Sequence, residues 1–332
     1  IEADLGRLAN RFADLAAMHA RTPLVGRTWL QQAVPITFGL KAAGWLDAVG
    51  RHRARLGELR GRLPALQFGG AAGTLAALGG HGMAVAVALA EELSLALPDL
   101  SWHAHRDRVA EVATTLGLLV GTLGKVARDL SLMSQTEVAE ASEPVAPGRG
   151  GSSSMPQKRN PVGAAVVLAA SLRVPPLVST MLTAMAQEHE RGLGGWSAEW
   201  ETLPEICLLT SGALAQLIQV AEGLELDVAR MRVNLDRTGG LILSEAAAMA
   251  LAKQVDKSTA RRLVEEAILR ARQSGRGLRD ELGDDPQVTA LLSASDLDRV
   301  FDPLNYLGCA EPFVARALAA HAAHQANVKS GS

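Results

Sequence analysis

The 332-residue sequence is poor in aromatic residues, in cysteine and in net charge. Aromatic side chains make up 3% of it and the formal net charge is −2, so no global field favours a nucleic acid or an anionic membrane as partner. The two cysteines, Cys207 and Cys309, are expected to be buried free thiols of a reducing compartment. No apolar stretch of about twenty residues lacks charges or breakers, and no leader pattern is seen. We therefore expect a cytoplasmic protein without a membrane-spanning helix.

Alanine and leucine are abundant, and this composition favours helices over strands. Apolar residues recur every three or four positions over 106–133, which predicts a helix of about 28 residues. Three further long helices are predicted over 35–63, from 160 or 161 to a bend or break at Pro175-Pro176, and over 198–224 with a kink at Pro204. Several helices of this length in one chain predict an all-α fold built on a long antiparallel bundle.

The pattern changes after Thr238, where two glycines follow, helices shorten and acidic turns begin. We place a domain boundary there. Residues 1–238 are predicted to form a central helical-bundle domain, and residues 239–332 a smaller helical C-terminal domain.

The run "GRGGSSSMPQKRNP" at 148–161 interrupts this helical sequence. Its glycines and serines favour open backbone conformations, so it is predicted to be a loop, and such loops often bind ligands. It is not a phosphate-binding P-loop, because no glycine immediately precedes Lys158 and no strand pattern comes before it. From the residues alone, the serines could equally cap a helix, with Lys158 a solvated surface charge.

The string "GSSSMPQKRNP" (151–161) resembles the signature of the fumarase/aspartase/argininosuccinate-lyase superfamily. "GRTWLQQAVPITFG" (26–39) and "QFGGAAGT" (67–74) resemble two further segments of that superfamily. Within it, the sequence is similar to the cycloisomerases of aromatic breakdown, a likeness that includes "QEHERGLGGWSAEWETLPE" (187–205). The resemblance implies a long central helical bundle with a smaller helical C-terminal domain. It also implies that the N-terminal domain of the family is missing from this chain.

The resemblance implies a role for each matching position of the site. Ser152 would be the acid/base that exchanges a proton with carbon, and Lys158 would supply a cation for a substrate carboxylate. The helix after Pro161 would turn its positive N-terminal end to the same anion. The implied substrate-binding residues are Arg27, Thr28, Trp29, Gln31, Ser153, Met155, Asn160 and Arg191. No cofactor is implied, and no metal site is predicted because His81, His103 and His105 lack metal-ligand spacing.

Two of these residues keep alternative interpretations. Trp29 stands where relatives such as fumarase carry a histidine. An attacking carboxylate is already ionised at neutral pH and needs no such base. Trp29 could therefore line the substrate pocket, or it could simply pack in the core. Arg191 could pair with a substrate carboxylate, or Glu188 and Glu190 could hold it in a surface ion pair.

The activity implied is a cofactor-independent lactonisation of 3-carboxy-cis,cis-muconate to a carboxymuconolactone, on a small anionic substrate. The alternatives are the same closure of a related muconate such as a sulfo-substituted one, a fumarase-type or adenylosuccinate-type lyase, and a non-catalytic helical scaffold. The resemblance further implies a homotetramer whose active sites are shared between subunits, with neither nucleic acid nor membrane as partner.

Overall fold

The computed structural model describes residues 1–145, 150–151 and 154–330, with side chains as far as residue 326. Helices dominate this part of the chain, and the strands are few and short, so the predicted all-α class is confirmed. The helices are α1 Glu2–Met18, α2 Phe38–Arg60, α3 Gly82–Glu92, α4 Asp107–Met133, α5 Val162–Thr183, α6 Gly194–Glu222, α7 Val228–Asp236, α8 Ser244–Leu251, α9 Lys257–Ser274, α10 Leu278–Gly283, α11 Pro286–Thr289, α12 Ala294–Val300 and α13 Ala310–Ser330. The strands are β1 Pro23–Thr28, β2 Gln31–Thr37, β3 Ala141–Ser142 and β4 Glu225–Leu226.

The chain divides into two compact units, each assembled from segments that are distant in sequence. Unit 1 comprises residues 1–9, 48–132 and 143–224. Unit 2 comprises residues 10–47, 133–142 and 225–332. The domain boundary predicted at 238 stays a prediction. The two compact units are not separated at one position of the sequence, since segments 10–47 and 133–142 join the C-terminal residues in unit 2.

Unit 1 is a bundle whose long helices run antiparallel. A Cβ at Gly117 of α4 would lie 2.9 Å from the Val178 side chain of α5, and one at Gly124 would lie 2.6 Å from Ser171. As residue numbers rise along α4 they fall along α5, which fixes the antiparallel direction. The two glycines permit this close approach, because any side chain there would have to displace the facing residue.

The helix predicted over 106–133 is confirmed as α4, Asp107–Met133. Of the bend or break predicted at Pro175-Pro176, the break is wrong, and the kink predicted at Pro204 stays a prediction. Helix α5 continues through Pro175 and Pro176 to Thr183, and α6 continues through Pro204. Leu172, four residues before Pro176, is 73% exposed, so α5 turns this side towards solvent at the prolines.

The three long helices of unit 1 are more apolar than their burial explains. By length and composition alone, α4, α5 and α6 could each cross a membrane, contrary to the sequence expectation. Their most apolar windows are 50%, 28% and 39% buried, respectively. Helices α5 and α6 therefore expose apolar faces that the described residues do not cover.

Unit 2 contains a β-hairpin that the sequence analysis did not predict. Strands β1 and β2 pair antiparallel, with a bulge between Val25 and Arg27. Val25 packs with Leu235, Ile242 and Leu243 in a buried cluster, which holds the base of the hairpin against the C-terminal helices of the same unit. Elsewhere, both cysteines are free as expected, but neither is buried, since Cys207 is half-buried and Cys309 is exposed.

His52 is a buried titratable group in the bundle of unit 1. Its Nε2 lies 2.7 Å from Thr122 Oγ1, which links α2 to α4. Burial, followed by the charges of Arg55 and Arg51, lowers the pKa of His52 from 6.5 to about 4. Between these values the unfolded chain binds a proton that the folded chain does not. The contribution of His52 to the free energy of unfolding is therefore fully present above about pH 6.5 and is lost as the pH falls towards 4.

We expect the free energy of unfolding to decrease between pH 6.5 and pH 4, with His52 contributing on the order of 2 kcal/mol. His52→Gln keeps a hydrogen-bonding side chain beside Thr122 but cannot titrate. It should lose about 1 kcal/mol at pH 7 and show a shallower decrease with pH. Urea unfolding across this range measures both, and equal pH slopes for the two proteins would contradict the assignment.

Candidate functional site

The second half of the signature loop forms a closed turn before α5. The Asn160 N–H donates to the Gly150 carbonyl at 2.8 Å, and the Lys158 N–H donates to the Met155 carbonyl at 3.0 Å. Lys158 and Met155 are exposed, whereas Asn160 is half-buried. Gly150 has a φ of +75°, and a Cβ there would lie 3.2 Å from the Asn160 carbonyl oxygen, so only glycine fits without strain. Two predicted residues, Ser152 and Ser153, lie outside the described residues.

A protein carboxylate caps the helix that follows this loop. Glu143 accepts hydrogen bonds from the Gly163 N–H at 2.8 Å and the Ala164 N–H at 2.7 Å. Pro161 is the residue before the first turn of α5 rather than part of it. The N–H groups at the start of α5 were expected to face the substrate anion. In this conformation they bind the Glu143 carboxylate instead.

Arg191 joins two of the segments that the resemblance picked out. Its Nη2 donates to the Gly70 carbonyl at 2.8 Å, and its Nε donates to the Ala71 carbonyl at 3.4 Å. The guanidinium also lies 5.5 Å from the centroid of the Trp196 ring, a cation–π geometry. The glycine-rich turn 67–74 is therefore tied to the 187–205 segment, and Arg191 has partners other than the neighbouring glutamates considered above.

A buried cluster behind this turn was missed by sequence reasoning. Arg106 makes a bidentate ion pair with Glu199, with N–O distances of 2.9, 3.1 and 2.5 Å, and both side chains are at most 10% exposed. The His103 ring meets Trp196 edge-on at 4.7 Å. Burial, with smaller contributions from Arg191 and Arg106, lowers the pKa of His103 and outweighs the effect of Glu199. His103 is therefore a neutral packing partner of the Trp196 ring at pH 7.

Trp29 occupies the tip of the hairpin in unit 2. Trp29 and Leu30 form its two-residue turn with φ values of 51° and 64°, a left-handed conformation that bulky side chains rarely adopt. Trp29 is 98% exposed and Leu30 is 78% exposed. Thr28 and Gln31, both exposed, are the paired residues on either side. The alternative that Trp29 packs in the core is therefore wrong for this chain.

Arg27 anchors the hairpin through a buried ion pair. Its Nη1 and Nη2 donate to the two carboxylate oxygens of Glu140 at 2.8 and 2.7 Å, and Glu140 is fully buried. Asn234 of α7 donates to the same carboxylate and to the Val138 carbonyl, each at 2.8 Å. Arg27, which the resemblance implies to be a substrate-binding residue, thus uses both of its Nη groups to bind Glu140. A direct contact between Arg27 and the substrate stays a prediction.

The predicted residues fall into both units. Met155, Lys158, Asn160 and Arg191 belong to unit 1, whereas 27–31 belongs to unit 2. The structure adds Glu140 and Glu143, which sequence reasoning missed. Their signal was the acidic "EASE" that begins at residue 140, just before the signature loop, because such carboxylates often serve as helix caps or ion-pair partners.

Two known protein families match this chain. A family model described as "Lyase" matches residues 1–175, and one described as "Adenylosuccinate lyase C-terminus" matches residues 240–317. The first match covers the hairpin, the glycine-rich turn and the signature loop together.

Individual relatives extend the likeness over nearly the whole chain. The 3-carboxy-cis,cis-muconate cycloisomerase of Pseudomonas aeruginosa is 58% identical over 321 residues, which cover 97% of this chain and 70% of the relative. The enzyme of the same name from Pseudomonas putida is 58% identical over 90% of this chain and 71% of its own length. The crystal structure of the 3-carboxy-cis,cis-muconate lactonizing enzyme from Pseudomonas putida superposes with a TM-score of 0.93 at 57% identity, over 97% of this chain and 71% of that one. The chain therefore belongs to the lyase family of the fumarase superfamily, and within it is similar to the 3-carboxy-cis,cis-muconate cycloisomerases.

Proposed function

We propose that this protein closes 3-carboxy-cis,cis-muconate to a carboxymuconolactone. The observation that supports this most strongly is the 58% identity to a named cycloisomerase over 97% of the chain. A related muconate as substrate, or a lyase reaction on a fumarate-like compound, would need the same Lys158 and Asn160 donors. Trp29, at the position where fumarase has a histidine, favours the lactonisation.

The proposed reaction is an intramolecular addition across a carbon–carbon double bond. A substrate carboxylate oxygen forms a bond to one alkene carbon, and the π electrons move onto the neighbouring carbon and its conjugated carboxylate. Ser152 then donates its proton to that carbon and recovers one from solvent. The substrate has three carboxylates and the lactone retains two, so each turnover consumes one proton and requires no cofactor.

Positive and polar groups would stabilise the extra charge on the conjugated carboxylate. Lys158 is exposed beside the turn that Asn160 closes, and both side chains can donate to a carboxylate. Arg191 is exposed, and its guanidinium has five N–H donors, more than its two carbonyl contacts use. We propose all three as substrate ligands, together with Ser153, Met155 and the hairpin residues Arg27, Thr28, Trp29 and Gln31.

The reaction gives two signals that separate it from its rivals. Lactonisation should remove the ultraviolet absorbance of the conjugated diene and consume one proton per molecule converted, so a pH-stat and a spectrophotometer should agree. A panel of 3-carboxy-cis,cis-muconate, a sulfo-substituted muconate and fumarate, given to the full-length enzyme, identifies the substrate. Turnover of fumarate without turnover of either muconate would reject the proposal.

Ser152→Ala should lower kcat on the muconate by at least about a hundredfold, the scale of losing a positioned acid/base group. KM should change little, because the hydroxyl acts mainly in proton transfer. The matched control is Ser154→Ala, which removes an exposed neighbouring hydroxyl and should keep near wild-type kcat. Steady-state kinetics measures both, and a Ser152→Ala variant with near wild-type kcat would remove Ser152 from the mechanism.

We further propose a homotetramer in which Trp29 and Ser152 of one active site come from different subunits. The exposed apolar faces of α5 and α6, which include Leu172, Leu182 and Leu208 at 73%, 50% and 74% exposure, suit burial against other copies. The strained and almost fully exposed Trp29 turn is the kind of element that a partner surface would have to stabilise. Burial of these faces in a cytoplasmic assembly, rather than in a bilayer, is part of the same proposal.

Subunit mixing tests this arrangement quantitatively. Ser152→Ala and Trp29→Ala chains, each of low activity alone, should recover activity when equal amounts are dissociated and reassembled together. If the two residues of a site come from different chains, about a quarter of the sites are intact after random assembly. Variants taken separately through the same treatment are the control. Failure to recover activity in confirmed mixed tetramers, or an active monomer in solution scattering, would disprove the shared site.

A further inference from the structure

A second carboxylate near the signature loop binds no cation through its side chain in the contacts described. Instead, the two oxygens of Glu143 each accept one N–H of α5, from Gly163 at 2.8 Å and Ala164 at 2.7 Å. Its backbone carbonyl accepts a hydrogen bond from the Arg159 guanidinium. Main chain and side chain of one residue therefore hold both the last residues of the loop and the first turn of the helix.

The first four backbone positions of an α-helix, counted from the N-cap, have no N–H partner within the helix. In α5 the N-cap is Pro161, which has no N–H, so three N–H groups need a partner. Glu143 binds two of them, and the third, of Val162, donates to the Asn160 carbonyl at 2.9 Å. None of the three is left for an external anion in this conformation. The partial positive charge of the helix end is likewise matched by the Glu143 carboxylate.

We infer that Glu143 is a positioning residue, which fixes Lys158 and Asn160 by binding the N-terminal amides of α5. This rests on the proposed function, because Lys158 and Asn160 are substrate ligands only under it. These two residues lie within a few positions of the amides that Glu143 binds, on a segment that is mostly exposed. A tie to the rigid helix limits the displacement of their side chains, and a misplacement of about 1 Å can cost a hundredfold in rate.

The contact needs a carboxylate rather than any polar side chain. Glutamine has one acceptor oxygen and an NH₂ group, so Glu143→Gln would leave one α5 amide facing a donor. Aspartate keeps the charge but is shorter by one methylene, so Glu143→Asp would reach the amides less well. The order expected for the positioning effect is therefore Glu, then Asp, then Gln.

The experiment compares these variants of the full-length enzyme by steady-state kinetics and by hydrogen–deuterium exchange. Glu143→Gln should lower kcat on 3-carboxy-cis,cis-muconate by at least about tenfold with KM changed by less than about threefold, and Glu143→Asp should recover part of the loss. The amides of Gly163 and Ala164 should exchange at least about tenfold faster, while those of α4 stay protected. The control Glu222→Gln removes an exposed carboxylate paired with Arg7 and should change none of these quantities.

Each other outcome has a defined meaning. Unchanged kcat in Glu143→Gln despite faster amide exchange would overturn the inference, since the cap would then be structural only. A lowered KM would also overturn it, because the uncovered helix end would then be binding the substrate. A wild-type enzyme inactive on the muconate would reject the proposed function instead. The exchange measurement would then still decide whether Glu143 holds α5, and unchanged exchange would reject that contact by itself.

Discussion

The bidentate ion pair between Arg27 and the buried carboxylate of Glu140 is the contact on which the arrangement of unit 2 depends. With Asn234 as a second donor, it joins β1, the segment before β3 and α7. A fully buried carboxylate is stable only with such partners, so loss of Arg27 would leave the charge of Glu140 uncompensated, and loss of Asn234 would remove one hydrogen bond from it. The hairpin that carries Trp29 is therefore held at its base by Val25 packing and nearer its tip by this pair.

Glu143, three residues after Glu140, is also a carboxylate bound by donors of the protein. Its donors are the N-terminal amides of α5, whereas those of Glu140 include the Arg27 guanidinium. One carboxylate fixes the hairpin of unit 2 and the other fixes the start of α5 in unit 1, and neither residue belongs to the recognised motifs. Motif residues such as Lys158 and Met155 have exposed side chains. The segments that carry the motif residues are held in place by Glu140 and Glu143, whose carboxylates bind donors of the protein itself.

The sequence predicted the long helices well, because a period near 3.6 over more than twenty residues has few other structural explanations. It did not predict the hairpin, because a Trp-Leu turn carries none of the glycine or asparagine chemistry that normally marks a two-residue turn. It left open whether α5 bends or breaks at Pro175 and Pro176, since the exposure of the helix there is a tertiary property. Charge pairing such as Arg106 with Glu199 depends on positions distant in sequence, so periodicity could not reveal it.

These contacts also bear on how a substrate with three carboxylates would be bound. Arg27 binds Glu140, the amides of α5 bind Glu143, and Arg191 donates to two backbone carbonyls. Several of the hydrogen-bond donors in or beside the motif segments are therefore already bound to protein acceptors. Interactions that bind the substrate and the transition state equally tightly do not raise kcat. Under the proposed function, Lys158, Asn160 and the N–H groups of Arg191 that its two carbonyl contacts do not use would stabilise the charge that develops as the ring closes.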